Sequence, residues 1–207
     1  MRVLFIQHDH VSPYGPVGER FIELGHEVSV LRVVPEEQFK TPNVHVDFPA
    51  VGEYDVIVPM GAPWGAWDDE GIGNWLLPEI EYLKSCHNAG TRVLGLCFGG
   101  QLMARALGGS VTRAPSHEIG YTYIYSDDES LVPNGPWFQW HHDRFDPPPG
   151  AAALWRSKLK SPNVNMTSTA PVARACWWKL KRCSKASRTS LLPKPKIGWA
   201  INRWPSI

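Results

Sequence analysis

One cysteine in this chain stands where a nucleophile would be placed. Gly95-Leu96-Cys97-Phe98-Gly99-Gly100-Gln101 follows a short β-type run and leads into a stretch that reads as a helix. A side chain at such a junction sits on a sharp turn that lifts it clear of the backbone. Small residues at Gly95 and Gly99 let strand and helix close around that turn. The helix N-terminus then aims partial positive charge at the sulfur, which is expected to lower the thiol pKa and favour the thiolate. G-x-C-x-G alone also describes a buried cysteine closing a strand. Gly100, Gln101 and the flanking elements favour the nucleophile.

The other candidates lie at two places. His8 and His10 flank the end of the first apolar run, near the edge where parallel sheets bind ligands; residues in that position more often decorate a loop. His141-His142-Asp143 follows Trp140. Adjacent histidines in an extended segment point to opposite faces, so joint metal ligation is not expected. The cysteines, Cys86, Cys97, Cys176 and Cys183, show no close C-x-x-C spacing either.

The elements that would position these residues are legible. Val3 to Gln7 reads as a buried strand, and Pro16 to Leu24 as a helix closed by Gly25. Glu27 to Val34 and Tyr54 to Pro59 read as strands, the second ending in the tight turn Met60-Gly61-Ala62-Pro63. Trp75 to Ala89 reads as a helix with Leu76, Leu77, Ile80 and Leu83 on one side and Gly90 as its stop. Arg92 to Leu96 is a fourth strand, and Gly100 to Leu107 a helix closed by glycines. This alternation argues for a parallel sheet covered on both faces. From Ser110 the texture changes to short extended pieces, Ser110 to Arg113, Ile119 to Ser126, Trp137 to Trp140 and Ala151 to Arg156. They are expected as antiparallel additions to the sheet edge.

Composition fits one α/β domain: 207 residues, 43% of them hydrophobic. The charge is uneven. Residues 1 to 146 hold all 20 Asp and Glu against nine Lys and Arg, a net of −11, whereas residues 147 to 207 hold twelve Lys and Arg and no acid. After about Ser157 neither a period of 2 nor of 3.6 is visible, so residues 158–207 read as a basic, irregular tail. The N-terminal apolar run is too short for a signal peptide, and no segment approaches a membrane span. A reducing cytoplasm is expected, with no membrane partner.

The segment Gly95 to Gly109 resembles the core of the class I glutamine amidotransferases. Met1 to Arg32 resembles the opening of a free-standing type 1 amidotransferase. Pro59-Met60-Gly61-Ala62-Pro63 matches the loop that supplies half of that family's oxyanion hole. The resemblance covers about residues 1 to 157. It implies a flavodoxin-like three-layer α/β sandwich, with a mostly parallel sheet and an antiparallel extension. It implies that Cys97 attacks the side-chain amide carbon of glutamine, giving a γ-glutamyl thioester and ammonia. The N–H of Phe98 would be one oxyanion donor and that of Gly61 or Ala62 the other. Gln101 would contact the substrate glutamine, the plain alternative being a solvated helix residue. Trp140-His141-His142-Asp143 matches a W-H-x-D segment in which His141 and Asp143 shape the substrate site and do not serve as base. The chemistry needs no metal or organic cofactor. Its partners would be glutamine or a γ-glutamyl compound, with an ammonia-accepting synthase on another subunit. A γ-glutamyl peptide or amine hydrolase would use the same thioester.

One part of the pattern is missing. A cysteine nucleophile of this type needs a histidine base and a carboxylate to orient it, and in the family both come from a late Q-F-H-P-E-like segment. This chain has no histidine after His142 and no acid after Asp146. A frameshift or gene-model error near Ser157 fits the abrupt change best. A genuine basic tail for nucleic acid is disfavoured, because no motif or period accompanies its charge. Substitution by His141 or His142 would require that segment to bend over Cys97. A catalytically inactive binding domain is therefore the alternative outside enzymes. A tail in place of the usual last elements would also leave sheet surface uncovered, so poor solubility is expected.

Overall fold

The parallel sheet is built from runs apolar enough to be buried on both faces. In the computed structural model, which describes residues 1–152 and 154–157, these are β1 (Arg2–Gln7), β2 (Glu27–Arg32), β3 (Val56–Pro59) and β4 (Arg92–Val93), hydrogen-bonded in the order β2-β1-β3-β4. All pairings are parallel, with Phe5 opposite both Val30 and Val58. The backbone after β4 keeps beside β3 beyond its two residues, through Leu94 N–H to Ile57 O and Leu96 N–H to Pro59 O, each 2.9 Å. The strand expected over Arg92 to Leu96 is thus continuous in path, though regular only at its start.

Alternating side chains separate two apolar clusters, one on each face of the sheet. Val3, Phe5, Val56 and Val58 join Phe21 of helix α1 (Gly15–Glu23) on one face. Leu4, Ile6, Ile57 and Val93 join helices α2 (Asp69–Asn88) and α3 (Phe98–Ala106) on the other. This is the three-layer α/β sandwich expected from the sequence. Gly25 and Gly90 close α1 and α2 with φ of +78° and +81°, a region that only glycine enters without cost.

Helix α2 departs from expectation in two ways. It begins six residues before Trp75, because Asp68 caps it by accepting the Gly71 N–H at 2.9 Å. Its buried face also differs: Leu77 is exposed, whereas Glu79 is fully buried beside Trp75, Leu76 and Leu83. The apolar positions alone suggested Leu77 for the core, and a partner across the core explains the reversal, as described below.

The extended pieces after Ser110 form a second sheet of their own, in the order β6-β5-β7, and not an addition hydrogen-bonded to the edge of the first. Its strands are β5 (Ser110–Ser126), β6 (Gly135–Asp146) and β7 (Trp155–Ser157), paired antiparallel. The two pieces read separately at 110–113 and 119–126 are one strand interrupted by an irregularity between Arg113 and Glu118. The second sheet joins the main core through Val111 of β5 and Phe145 of β6. Residues 158–207, including Cys176, Cys183 and the basic tail, lie outside the described residues.

Candidate functional site around Cys97

The C-terminal ends of the parallel strands bring three segments together: His8 after β1, the Met60-Gly61-Ala62 loop after β3, and Cys97 ahead of α3. Cys97 has φ +53° and ψ −111°, and among the described residues it alone has a positive φ without being glycine. Such a conformation costs on the order of 1–3 kcal/mol and persists only where surrounding bonds enforce it. Here they do. Leu96 N–H is tied to Pro59 O, Gly99 N–H lies 2.9 Å from Met60 O and 3.0 Å from Leu96 O, and the N–H groups of Gly100 and Gln101 reach Cys97 O at 2.9 and 3.2 Å.

The glycines leave room for this turn. A Cβ on Gly95 would stand 2.6 Å from Gly99 O and 2.7 Å from Gly100 N, and one on Gly99 would collide with Pro59. Gly61 faces the cysteine: a Cβ there would stand 3.8 Å from Cys97 Cβ. Among the described residues, no acceptor takes the N–H of Gly61 or Ala62. The Phe98 N–H is directed at the Cys97 sulfur, while the Phe98 ring is buried in the core. Cys97, Phe98, Gly61 and Ala62 are therefore brought together.

The thiol differs from expectation in its acidity. Cys97 reaches solvent, yet the protein packed round its sulfur pushes the thiol pKa up; the Phe98 N–H opposes this, and the negative Asp143 adds to it. The helix N-terminus does not reverse the balance, and among the causes of the shift there is no cation. The expected lowering is thus corrected to a rise. The same interaction shows that Asp143 of β6 lies within electrostatic reach of Cys97.

Gln101 is 7% exposed on α3, which removes the solvated reading of that position. His141 belongs to β6 and faces Glu118 of β5 across the ladder. Its Nε2 is 3.0 Å from Glu118 Oε2, an ion-pair distance at an angle that makes no hydrogen bond. Its Nδ1 lies 3.2 Å from Asp143 O. Both ring nitrogens thus face other partners, and neither is directed at Cys97 as a base would be. His142 points elsewhere, its ring 5.1 Å from that of His117. Among the described residues, no cluster of three or more His, Cys, Asp or Glu is arranged to hold a metal ion.

His8 does not decorate a loop. It is fully buried, with Nδ1 3.1 Å from Gly61 O and Nε2 3.1 Å from both carboxylate oxygens of Glu79. Its ring packs 4.8 Å from Phe98 and 5.5 Å from Trp75. Composition and periodicity gave no signal for this pair, because its members are 71 residues apart and both types usually lie outside. An open depression of about 280 Å³ near Leu31, Pro35 and Val46 includes none of these residues.

A cysteine with positive φ at a strand-to-helix turn thus stands beside loop N–H groups at the end of the parallel sheet of a three-layer α/β protein. No family model matches the chain. The glutamine-hydrolyzing GMP synthase of Aeropyrum pernix is 33% identical to it over 112 residues, 51% of this chain and 20% of that protein. Gamma-glutamyl peptidase 4 of Arabidopsis thaliana is 39% identical over 62 residues, 30% and 24% of the two chains. The chain therefore spans a quarter or less of these relatives. The crystal structure of a glutamine amidotransferase from Methylobacillus flagellatus superposes with a TM-score of 0.65 at 27% identity, over 76% of this chain and 61% of that one. In sequence and in fold the chain is class I glutamine amidotransferase-like.

Proposed function

We propose that the Cys97 site captures the γ-carbonyl of glutamine or of a γ-glutamyl compound. The sulfur adds to the carbonyl carbon, and the developing oxyanion lies between the Phe98 N–H and the loop N–H of Gly61 or Ala62. Collapse would expel ammonia and leave a γ-glutamyl thioester. Gln101, His141 and Asp143 would line the substrate side. The observation that carries this reading is the enforced positive φ of Cys97, opposite a loop with N–H groups to spare. The likeness to a glutamine-hydrolyzing synthase supports it.

Turnover is a separate matter. Neither His141 nor His142 is directed at Cys97, and residues 143–207 contain no histidine. In our reading this polypeptide captures γ-glutamyl electrophiles but hydrolyses glutamine slowly or not at all. It is a domain of the amidotransferase kind with its base removed. The boundary near residue 157 belongs to the same proposal. Reading the coding DNA past codon 157 in the other two frames tests it, and a Q-F-H-P-E-like segment in neither frame would refute a frameshift.

Similarity to a gamma-glutamyl peptidase favours a second substrate class, γ-glutamyl peptides or amines. Competition distinguishes the two: labelling of Cys97 by a glutamine-like electrophile is slowed either by glutamine or by a γ-glutamyl dipeptide at lower concentration. An ammonia-accepting synthase partner and a reducing, cytoplasmic setting complete the proposal. Among the described residues no helix is long and apolar enough to cross a membrane.

A further inference from the structure

We propose that His8, held by Glu79, is a positioning residue that locks the Gly61–Ala62 peptide and so presents the Ala62 N–H on the outer side of the loop, toward Cys97. The inference rests on the reading of Cys97 as the site of γ-carbonyl capture.

Hydrogen-bond accounting fixes the protons. Gly61 O can only accept, so His8 Nδ1 must carry a hydrogen. Between Nε2 and Glu79 there is one further proton, on the imidazole or on the carboxyl. In either arrangement the pair is neutral as a whole, and Nδ1–H remains a donor to Gly61 O. The ring cannot turn away, because Phe98 and Trp75 pack against it and both His8 and Glu79 are fully buried.

The peptide transmits this constraint. The Gly61–Ala62 bond is trans, so its C=O and N–H point in opposite directions. With Gly61 O drawn inward to buried His8, the Ala62 N–H is directed outward. The same loop approaches Cys97, since a Cβ built on Gly61 would stand 3.8 Å from Cys97 Cβ. Glycine at 61 would otherwise let this peptide rotate freely. A buried pair of this kind contributes little net stability compared with apolar residues of the same size, so removing it isolates its effect on the peptide. The lock also decides between the two candidate loop donors: it fixes Ala62 N–H and leaves Gly61 N–H unconstrained.

The test uses the full chain and three proteins: wild type, His8→Phe/Glu79→Leu, which keeps the packing and removes the pair, and His8→Asn/Glu79→Gln, whose Asn amide sits near the place of Nδ1 and can donate to Gly61 O. Each is measured for reversible binding of glutarate semialdehyde, a γ-aldehyde with no amine to cyclise onto, which adds to a thiol to give a tetrahedral centre with oxygen in the donor site. Each is also measured for alkylation by iodoacetamide, a displacement that needs no such donor. The account predicts aldehyde affinity about tenfold or more weaker in the apolar pair, alkylation within about twofold of wild type, and substantial recovery in the Asn/Gln pair. Equal losses with both reagents, or no loss with the aldehyde, would overturn the lock. Absence of aldehyde binding to wild-type Cys97 would instead count against the proposed function. Crystal structures of the apolar pair then decide the lock alone: a rotated Gly61–Ala62 peptide supports it, an unchanged one refutes it.

Discussion

At the scale of residues, the decisive features are a backbone angle and a raised thiol. Because the protein packed round its sulfur and the negative Asp143 hold the Cys97 thiol above its ordinary range, its thiolate fraction at neutral pH is smaller than that of a free cysteine. Alkylation of Cys97 should therefore be slow at pH 7 and keep rising through pH 9, where a free thiol has begun to level off. A rate that levels off below pH 8 would contradict this sign. Asp143→Asn removes one cause of the rise, so alkylation at neutral pH should quicken, on the order of twofold; an unchanged or slower rate would remove Asp143 from the site. The cysteine itself was legible from its neighbours, since the glycines that permit the turn are written beside it. Its acidity was not, because helix polarity is visible in sequence while crowding by β6 is not. His8 and Glu79 were hidden for a related reason: two polar residues become core residues only through each other.

At the scale of elements, the elbow depends on backbone approaching backbone. A methyl group on Gly95 would press on Gly99 O and Gly100 N, which cannot swing aside as a side chain could. Gly95→Ala should destabilise the protein by about 1–3 kcal/mol, read as a lower denaturant midpoint at unchanged m-value, and loss below about 0.5 kcal/mol would mean that the turn relaxes easily. The strands and most helix ends could be read from apolar runs and glycine stops. The start of α2 was missed because its first turn, Asp69-Glu70-Gly71-Ile72-Gly73-Asn74, has almost no apolar period and depends on the Asp68 cap. The β5–β6 ladder read as fragments because its irregularity at 113–118 breaks the alternation that identifies a strand.

At the scale of the molecule, the second sheet presents an aromatic face. Ile119, Tyr121, Tyr123 and Tyr125 alternate along β5 and are 45–76% exposed, with Trp140 of β6 at 44%. Tyr121 meets Phe138 at 5.6 Å, and Phe138 stacks near Trp140 at 6.3 Å. Exposed apolar surface of this continuity promotes association. Tyr121→Lys with Trp140→Lys should reduce concentration-dependent light scattering while changing stability by less than about 0.5–1 kcal/mol; undiminished scattering would place the association elsewhere. The layered architecture was legible from the order of strands and helices. The separation of the second sheet was not, because edge pairing and independent pairing demand the same alternation.

The most direct test of the central claim is peptide-mapped labelling of the full chain by a glutamine-like diazoketone at neutral pH, with and without excess glutamine. The account predicts one modified site, Cys97, whose labelling glutamine suppresses and Cys97→Ala abolishes. Labelling of Cys97 that glutamine leaves unchanged would contradict it.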